Sequence, residues 1–331
     1  MTAYRVEVPL LAALPAQLRQ SDMAMLGNLH RRVGDDDASA QALASLEPVA
    51  GALSVDRRAW ARIIYSDIDV RQDGTVNPSS QGHVSGFQTG TDLYVSPPGD
   101  WRAGVYVGQL DGSADVSGSA SGLWRAVGST DLRTRYFAAY ATYANTTGFY
   151  ADVVLQYGSQ RYTIRPLGSL ESSADGSSLL AAVEVGQAYA LGGNWTLEPQ
   201  AQLIYSHARL DDLVIPGALV QHRDLDSWTG VLGARVKGDF ATSAGRLQPY
   251  GRVAVVHGSG GNTVARFIGP AAFSDIVSAS SYTSMELAGG FTLTASRRLS
   301  FYGEIGRLFS TGGDTEVKSS IQGSLGMRVR W

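Results

Sequence analysis

Cysteine is absent from the 331 residues of this chain, which excludes disulfide bonds, thiolate metal sites and a cysteine nucleophile. No apolar run approaches the roughly 20 residues that a membrane-spanning helix requires. The formal net charge is only −3 at pH 7, so the composition does not favour nucleic-acid binding. No signal peptide is visible at the N-terminus, so if the protein is exported we expect its chain to continue upstream of Met1. No motif predicts a cofactor.

A hydrophobic period of two begins at Ala59 and continues to the C-terminus. The mean hydropathy is −0.06, and a near-neutral value with many half-apolar strands is typical of a membrane barrel, because only alternate residues meet lipid. We therefore predict an all-β fold, a twelve-stranded antiparallel transmembrane β-barrel. The expected strands span about 59–70, 82–95, 101–112, 131–144, 149–164, 178–190, 195–209, 228–240, 246–257, 282–295, 299–309 and 319–331.

The last strand has the clearest alternation. Its apolar face includes Leu325, Met327, Val329 and Trp331, and the chain stops on this aromatic. Such an ending resembles the C-terminal sorting signal of bacterial outer-membrane proteins. We therefore interpret these four residues as an assembly signal.

Short and long connections alternate between the expected strands. The longer ones span 71–81, 113–130, 165–177, 210–227, 258–281 and 310–318. Short periplasmic turns with longer outer loops are typical of an outer-membrane barrel with an even number of strands.

If the apolar faces meet lipid, the opposite faces line the lumen. The lumenal candidates, which we also expect to contact a helix, are Arg62, Gln88, Asp92, Arg102, Asp152, Glu184, Glu198, Gln202, Arg235, Arg252, Glu286 and Glu304. The same faces carry Gln156, Arg328 and Arg330. Both signs of charge occur, so the lining does not indicate an ion-selective pore. These ions would be unfavourable in a dry core unless they pair with each other or with a plug.

One helical pattern lies within residues 10–34, with the helix expected at about 15–33 and Pro15 in its first turn. A lumen of about twelve strands has room for one helix. We therefore divide the chain into a linker with a lumenal helix, residues 1–58, and an outer-membrane barrel, residues 59–331. The rival arrangement is a helix that caps the periplasmic rim.

Catalytic motifs are weak. His207 and His257 are predicted near the outer ends of strands, and His222 is predicted in the loop that carries Asp211, Asp212, Asp224 and Asp226. An outer-membrane protease could use such residues to activate water, but a solvated polar loop is the favoured interpretation. Neither a Gly-x-Ser-x-Gly elbow nor a His-Glu-x-x-His motif occurs.

Several segments, in order, resemble the C-terminal translocator domain of bacterial autotransporters (type V secretion), in the group that includes pertactin. They are Tyr4 to Leu10, Ala12 to Pro15, Met25 to Gly34, Ala59 to Arg62, Gly86 to Leu93 and Arg328 to Trp331. The resemblance implies a twelve-stranded barrel with an N-terminal helix threaded through it. Some members of this family cleave themselves beside an Asn-Asn pair in the helix. This chain has Asn28 followed by Leu29, which argues against cleavage there.

The resemblance implies a non-enzymatic domain that carries or anchors an upstream passenger at the surface of a Gram-negative bacterium, with the passenger side extracellular. It implies outer-membrane lipid, the barrel-assembly machinery and periplasmic chaperones as partners, and a monomeric state. The alternatives are a porin or small-solute channel and, less favoured, a barrel-borne protease. A porin needs no helix joined to an upstream segment.

Overall fold

The computed structural model describes residues 3–27, 57–97, 99–223 and 225–331. One helix and eighteen strands follow each other in that part of the chain. They are α1 (Glu7–Leu26), β1 (Arg58–Gln72), β2 (Ser79–Val95), β3 (Trp101–Ala120), β4 (Leu123–Ala144), β5 (Phe149–Pro166), β6 (Ser172–Gln187), β7 (Tyr189–Gly192), β8 (Trp195–Leu210), β9 (Leu213–Ile215), β10 (Ala218–His222), β11 (Leu225–Gly238), β12 (Phe240–Thr242), β13 (Gly245–Ser259), β14 (Thr263–Ile268), β15 (Phe273–Ser278), β16 (Tyr282–Thr294), β17 (Leu299–Gly312) and β18 (Thr315–Arg330).

Twelve of these strands form a closed antiparallel barrel, which confirms the predicted fold class. β1 pairs with β18, so that Ala59 lies opposite Val329. β8 pairs with β11, which completes the ring. β7 and β12 are short strands at the turns that lead into β8 and β13. Within the described residues no helix combines the length and the apolar composition needed to cross a membrane.

The outer connections differ from the predicted long loops. Strands β3 and β4 continue through the expected loop 113–130 and meet at a turn of only Ser121 and Gly122, both with positive φ. β17 and β18 continue likewise through 310–318. The predicted loops were wrong because the strands were recognised only where their outward residues are apolar. Above the lipid the outward residues are polar, yet the backbones of neighbouring strands remain hydrogen-bonded.

Along the barrel wall the apolar residues change from the outward face to the inward face, as β3 shows. In the lower part of β3, Val107 points outward and is exposed. In the upper part Ala114, Val116 and Ala120 point inward and are buried, while the outward Ser113 is exposed. The lower barrel is therefore apolar outside, as lipid requires, and the upper barrel is apolar inside, as in a water-soluble core.

A second, four-stranded sheet lies at the outer mouth, in the order β15-β14-β10-β9. It occupies the expected loops 210–227 and 258–281. Its inner face contributes Leu213, Ile215, Val220, Ala265 and Ile276 to buried clusters shared with α1. The hairpins at this mouth therefore form an ordered sheet that covers the lumen.

The helix occupies the lumen, but its bounds differ from those expected. It begins at Glu7 and ends at Leu26, whereas the sequence pattern placed it at about 15–33. Residues 28–56 lie outside the described residues, so the division of the chain at residues 58 and 59 stays a prediction. Pro15 is inside the helix, and its expected position in the first turn was wrong. The helix can begin earlier because Pro9 lies in the first turn, where its missing N–H is not required.

Candidate functional site in the barrel lumen

The candidate site is the contact between α1 and the lumenal wall. All but three of the 20 residues of α1 are buried. The helix lies close to β3, where Gly108 faces Met25 and Gly118 faces Pro9. A Cβ atom at Gly118 would lie 2.5 Å from the Cβ atom of Pro9, so a larger residue there would displace the helix.

The outer half of α1 is held by apolar packing. Leu10, Leu11, Ala13, Leu14 and Leu18 form one buried cluster with residues of β3, β4, β5, β8, β9 and β10. These contacts surround the helix on more than one side, which explains why its sequence lacks a clean amphipathic pattern. The cluster also seals the outer part of the lumen.

The N-terminus of α1 is fastened at the outer mouth. The Glu7 carboxylate accepts hydrogen bonds from Arg5 at 2.7 Å and from the Ser169 hydroxyl at 2.7 Å. Burial raises the pKa of Glu7, but these bonds outweigh that effect and hold the pKa below its ordinary value. Arg5 also donates to the carbonyl of Pro216, in the turn between β9 and β10. The helix therefore starts on the outer side of the barrel.

The C-terminus of α1 is fastened near the lower end of β1. The Arg62 guanidinium donates to the carbonyl of Met25 at 2.9 Å and to the side chain of Gln88 at 2.6 Å. Gln88 itself donates to the same carbonyl. Gly27 follows with φ 55°, and a Cβ atom there would lie 2.9 Å from the guanidinium nitrogens. A cation suits this position because helix C-termini carry a partial negative charge.

Polar side chains of α1 contact the wall between these two ends. Gln17 donates to Ser80 and accepts from Thr130. Arg19 donates to the carbonyl of Ser280 at 3.0 Å. The Tyr136 hydroxyl donates to Asp22 at 3.0 Å. The site residues predicted from the sequence all lie on the wall. The polar residues of the helix were not predicted to contact the wall. The available signal was their position among apolar residues of the helix.

Among the lumenal candidates, Arg62 and Gln88 have direct hydrogen bonds to α1, as does Gln156, which donates to the Asp22 carbonyl at 3.4 Å. Several others pair with wall residues. Arg102 lies 3.2 Å from Asp92, and Arg235 lies 2.7 Å from Glu198. Asp152 accepts from Thr142, and Glu184 accepts from Tyr150.

A cavity of about 170 Å³ remains between the lower half of α1 and the opposite wall. Arg252, Glu286, Glu304, Glu184 and Gln202 line it. Arg252 lies 2.8 Å from Glu286 and 3.6 Å from Glu304. The lower lumen therefore combines a partly polar, incompletely filled space with apolar contacts around Met25 and Leu26, whereas the outer lumen is packed with apolar side chains.

Leu325, Met327 and Val329 of β18 face outward, and Trp331, which directly follows this strand, is exposed as well. The exposed fractions are 53% for Leu325, 43% for Met327, 38% for Val329 and 60% for Trp331. The backbone N–H of Trp331 donates to the carbonyl of Arg57 at 3.2 Å, so the last residue closes the ring while its indole stays accessible.

The histidines do not form one site. His207 lies 2.9 Å from Asp226 on the exposed outer surface. His257 contacts Thr283, and His222 is directed into the lumen, where it contacts the carbonyl of Leu11. Asp212 accepts from Gln221, and Asp224 lies outside the described residues. Within the described residues the three histidines lie in separate surroundings, and none of them is brought together with both an acid and a nucleophile.

Comparisons with known proteins agree with this architecture. The family model described as "Autotransporter beta-domain" matches residues 59–306. The adhesin BmaC autotransporter of Brucella suis biovar 1 is 31% identical over 99% of this chain, which corresponds to 10% of that protein. The pertactin autotransporter of Bordetella bronchiseptica is 28% identical over 52% of this chain and 19% of its own length. The chain thus spans a small part of these relatives.

Solved structures show the same fold. The transport unit of the autotransporter AIDA-I from Escherichia coli superimposes with a TM-score of 0.65 at 19% identity, over 89% of this chain and 97% of that chain.

Proposed function

The chain belongs to the autotransporter β-domain family and is an outer-membrane barrel, and from this we propose that it holds an upstream passenger domain at the cell surface. In this proposal the barrel is the translocator, and α1 is the segment by which the translocated passenger remains attached.

The direction of α1 is the observation that carries this proposal. Arg5 contacts Pro216 at the outer mouth, and Met25 contacts Arg62 near the lower end of β1. The chain therefore runs inward through the lumen before β1 begins. Any polypeptide attached ahead of Ala3 would start on the extracellular side.

An open channel fits this arrangement less well. A porin requires a continuous aqueous path, whereas the cluster around Leu10, Leu14 and Leu18 occupies the outer lumen. The protease alternative lacks a convergent set of groups, since His207 and His222 face opposite sides of the wall. We therefore favour the translocator over both.

The remaining partners belong to the same proposal. We propose that the barrel is a monomer, that periplasmic chaperones and the barrel-assembly machinery receive its unfolded chain, and that the exposed residues of β18 guide insertion. We also propose that the passenger is not released by self-cleavage beside Asn28, a residue outside the described part of the chain.

A fusion experiment tests the central proposal. A signal peptide and an epitope-tagged domain are placed upstream of Met1, and intact cells are probed with antibody and then with added protease. We expect surface labelling that protease removes, while the barrel remains in the outer membrane. The matched control carries the same signal peptide and epitope on an unrelated periplasmic protein. An epitope that stays protected in intact cells, although the barrel is inserted, would overturn the proposal.

A further inference from the structure

The outward face of β3 to β6 changes from apolar to polar along one line. The last apolar row consists of Val107, Phe137, Tyr157 and Leu179, which are Cα partners on four neighbouring strands. All four side chains are exposed. Exposed apolar residues on the outside of a membrane barrel face lipid, so this row marks the outer edge of the apolar belt.

The next row toward the outside is polar and carries positive charge only. It consists of Gln109, Arg135, Ser159, Ser177 and Arg209, which are partners across β3, β4, β5, β6 and β8. Arg135 and Arg209 are exposed, and neither has a hydrogen bond or ion pair to the described residues. Three inter-strand steps separate them, about 14 Å.

On β3 and β4 the acidic residues nearest this row lie further out and are paired with other arginines, whereas Asp226 on β11 is diagonal to Arg209 and is held by Tyr205 and His207. Asp111 accepts a hydrogen bond from Arg133, and Asp131 accepts one from Arg165. Arg161 is diagonal to Arg135 across β4 and β5. Its side chain is 73% exposed, and its contact with Asp175 is a loose 3.8 Å. Because Asp226 bonds to Tyr205 and His207, and Arg135 and Arg209 have no ion pair among the described residues, the row keeps a positive charge, to which Arg161 can add.

We propose that Arg135, Ser159, Ser177 and Arg209 bind the phosphate groups of a bisphosphorylated glycolipid in the outer leaflet. Lipid phosphates lie directly outside the hydrocarbon, at the height of this row. Arginine guanidinium groups match phosphate geometry through paired N–H donors, and the serine hydroxyls between them are further donors. The acyl chains then lie along Phe137 and Tyr157.

The spacing of the two arginines selects the class of lipid. About 14 Å separates the backbones of Arg135 and Arg209, and when both side chains extend straight away from the wall their guanidinium groups keep about this separation. A headgroup with two separated phosphates on a sugar scaffold can engage both in that arrangement, which a simple diacyl phospholipid cannot. The proposal rests on the outer-membrane location of the barrel and is independent of any passenger.

Binding measurements on charge variants test this site. The full chain is refolded in detergent, and its affinity for bisphosphorylated lipid A is measured from the shift in unfolding temperature across a lipid titration. We expect the variant R135Q/R209Q to bind at least tenfold more weakly than the wild type, and each single variant to show an intermediate loss. The control R71Q/R125Q removes two exposed arginines from other outer positions and should bind as the wild type does.

Chemical variation of the probe identifies the ligand. Dephosphorylated lipid A should bind the wild type at least tenfold more weakly, and R135K/R209K should recover part of the affinity because the charge remains. Equal affinity of R135Q/R209Q and the wild type, or equal binding of the dephosphorylated lipid, would overturn the proposal. If inorganic phosphate protects the barrel as well as the lipid does, the site binds free phosphate and the lipid assignment is wrong.

Discussion

The Nε2 atom of His222 lies 3.1 Å from the carbonyl oxygen of Leu11. In an uninterrupted helix this carbonyl would accept the N–H of the residue four positions later, but that residue is Pro15, which has no N–H. A histidine from the outer sheet thus donates the hydrogen bond that the helix cannot supply. The carbonyl that Pro15 leaves unpaired in α1 thus attaches the lumenal helix to the sheet at the outer mouth.

A double-mutant cycle tests this attachment. We expect His222→Leu to weaken the contact of β9 and β10 with α1 by about 1–3 kcal/mol, because a buried carbonyl loses its donor. In a Pro15→Ala background the loss should be smaller, since the restored N–H can satisfy Leu11. Amide hydrogen exchange of residues 213–222 measures the effect, with His257→Leu as the control. Equal losses in both backgrounds would contradict the coupling.

The burial of the His222 ring should become unfavourable in acid. Burial lowers the pKa of His222 below its usual 6.5, although the bond to Leu11 and the nearby Asp212 act in the opposite direction. A lowered pKa means that the folded state holds the neutral ring, so its stabilising effect is complete above about pH 6.5 and declines as the pH falls below that value. Exchange protection of β10 should fall between pH 7.5 and 5 in the wild type. The same pH response in His222→Leu would show that another group is responsible.

Removal of the helix should open the lumen. Deleting residues 1–34 takes away the apolar residues that seal the outer half, so we expect conductance in planar bilayers to rise well above that of the intact chain. The barrel should persist because its closing pair, β1 with β18, remains, and heat-modifiable migration on gels verifies that. Equal conductance of the two proteins would mean that α1 is not the plug.

The inside and outside of β8 can be distinguished by charge. Leu203 is 53% exposed on the outer face, so Leu203→Arg should destabilise the barrel by about 2–4 kcal/mol near the bilayer midplane. The neighbouring Gln202 lines the cavity opposite Glu184, and Gln202→Arg should cost less. Denaturant midpoints in lipid vesicles measure both. Coinciding midpoints would reverse the face assignment of this strand.

Trp331 should matter for insertion more than for the folded barrel. Its indole is 60% exposed, so Trp331→Ser removes little packing. We expect less heat-modifiable barrel in the outer membrane, with nearly unchanged stability of refolded protein. Trp101→Ser, an exposed tryptophan at the start of β3, is the control. Equal outer-membrane levels of Trp331→Ser and the wild type would refute a role of the last residue in assembly.

The outward apolar residues that face lipid could be predicted from the sequence because their pattern has a local cause. Lipid meets each outward residue of a strand separately, so the alternation that includes Leu203, Leu325 and Met327 is recorded residue by residue along the chain. The number of strands follows from that alternation, whereas the sequence left open whether the helix fills the lumen or caps its periplasmic rim. The neighbours of each lumenal candidate cannot be predicted from one strand, because they come from other strands.

Only the tertiary structure decided how the lumen is filled. The alternation of β3 continues past Val107, yet its apolar face turns from lipid to the helix, and period two does not reveal which side is enclosed. The start of α1 at Glu7 and the bond between His222 and Leu11 depend on residues up to 211 positions apart. Sequence spacing is silent about such contacts, since they exist only when the strands have closed around the helix.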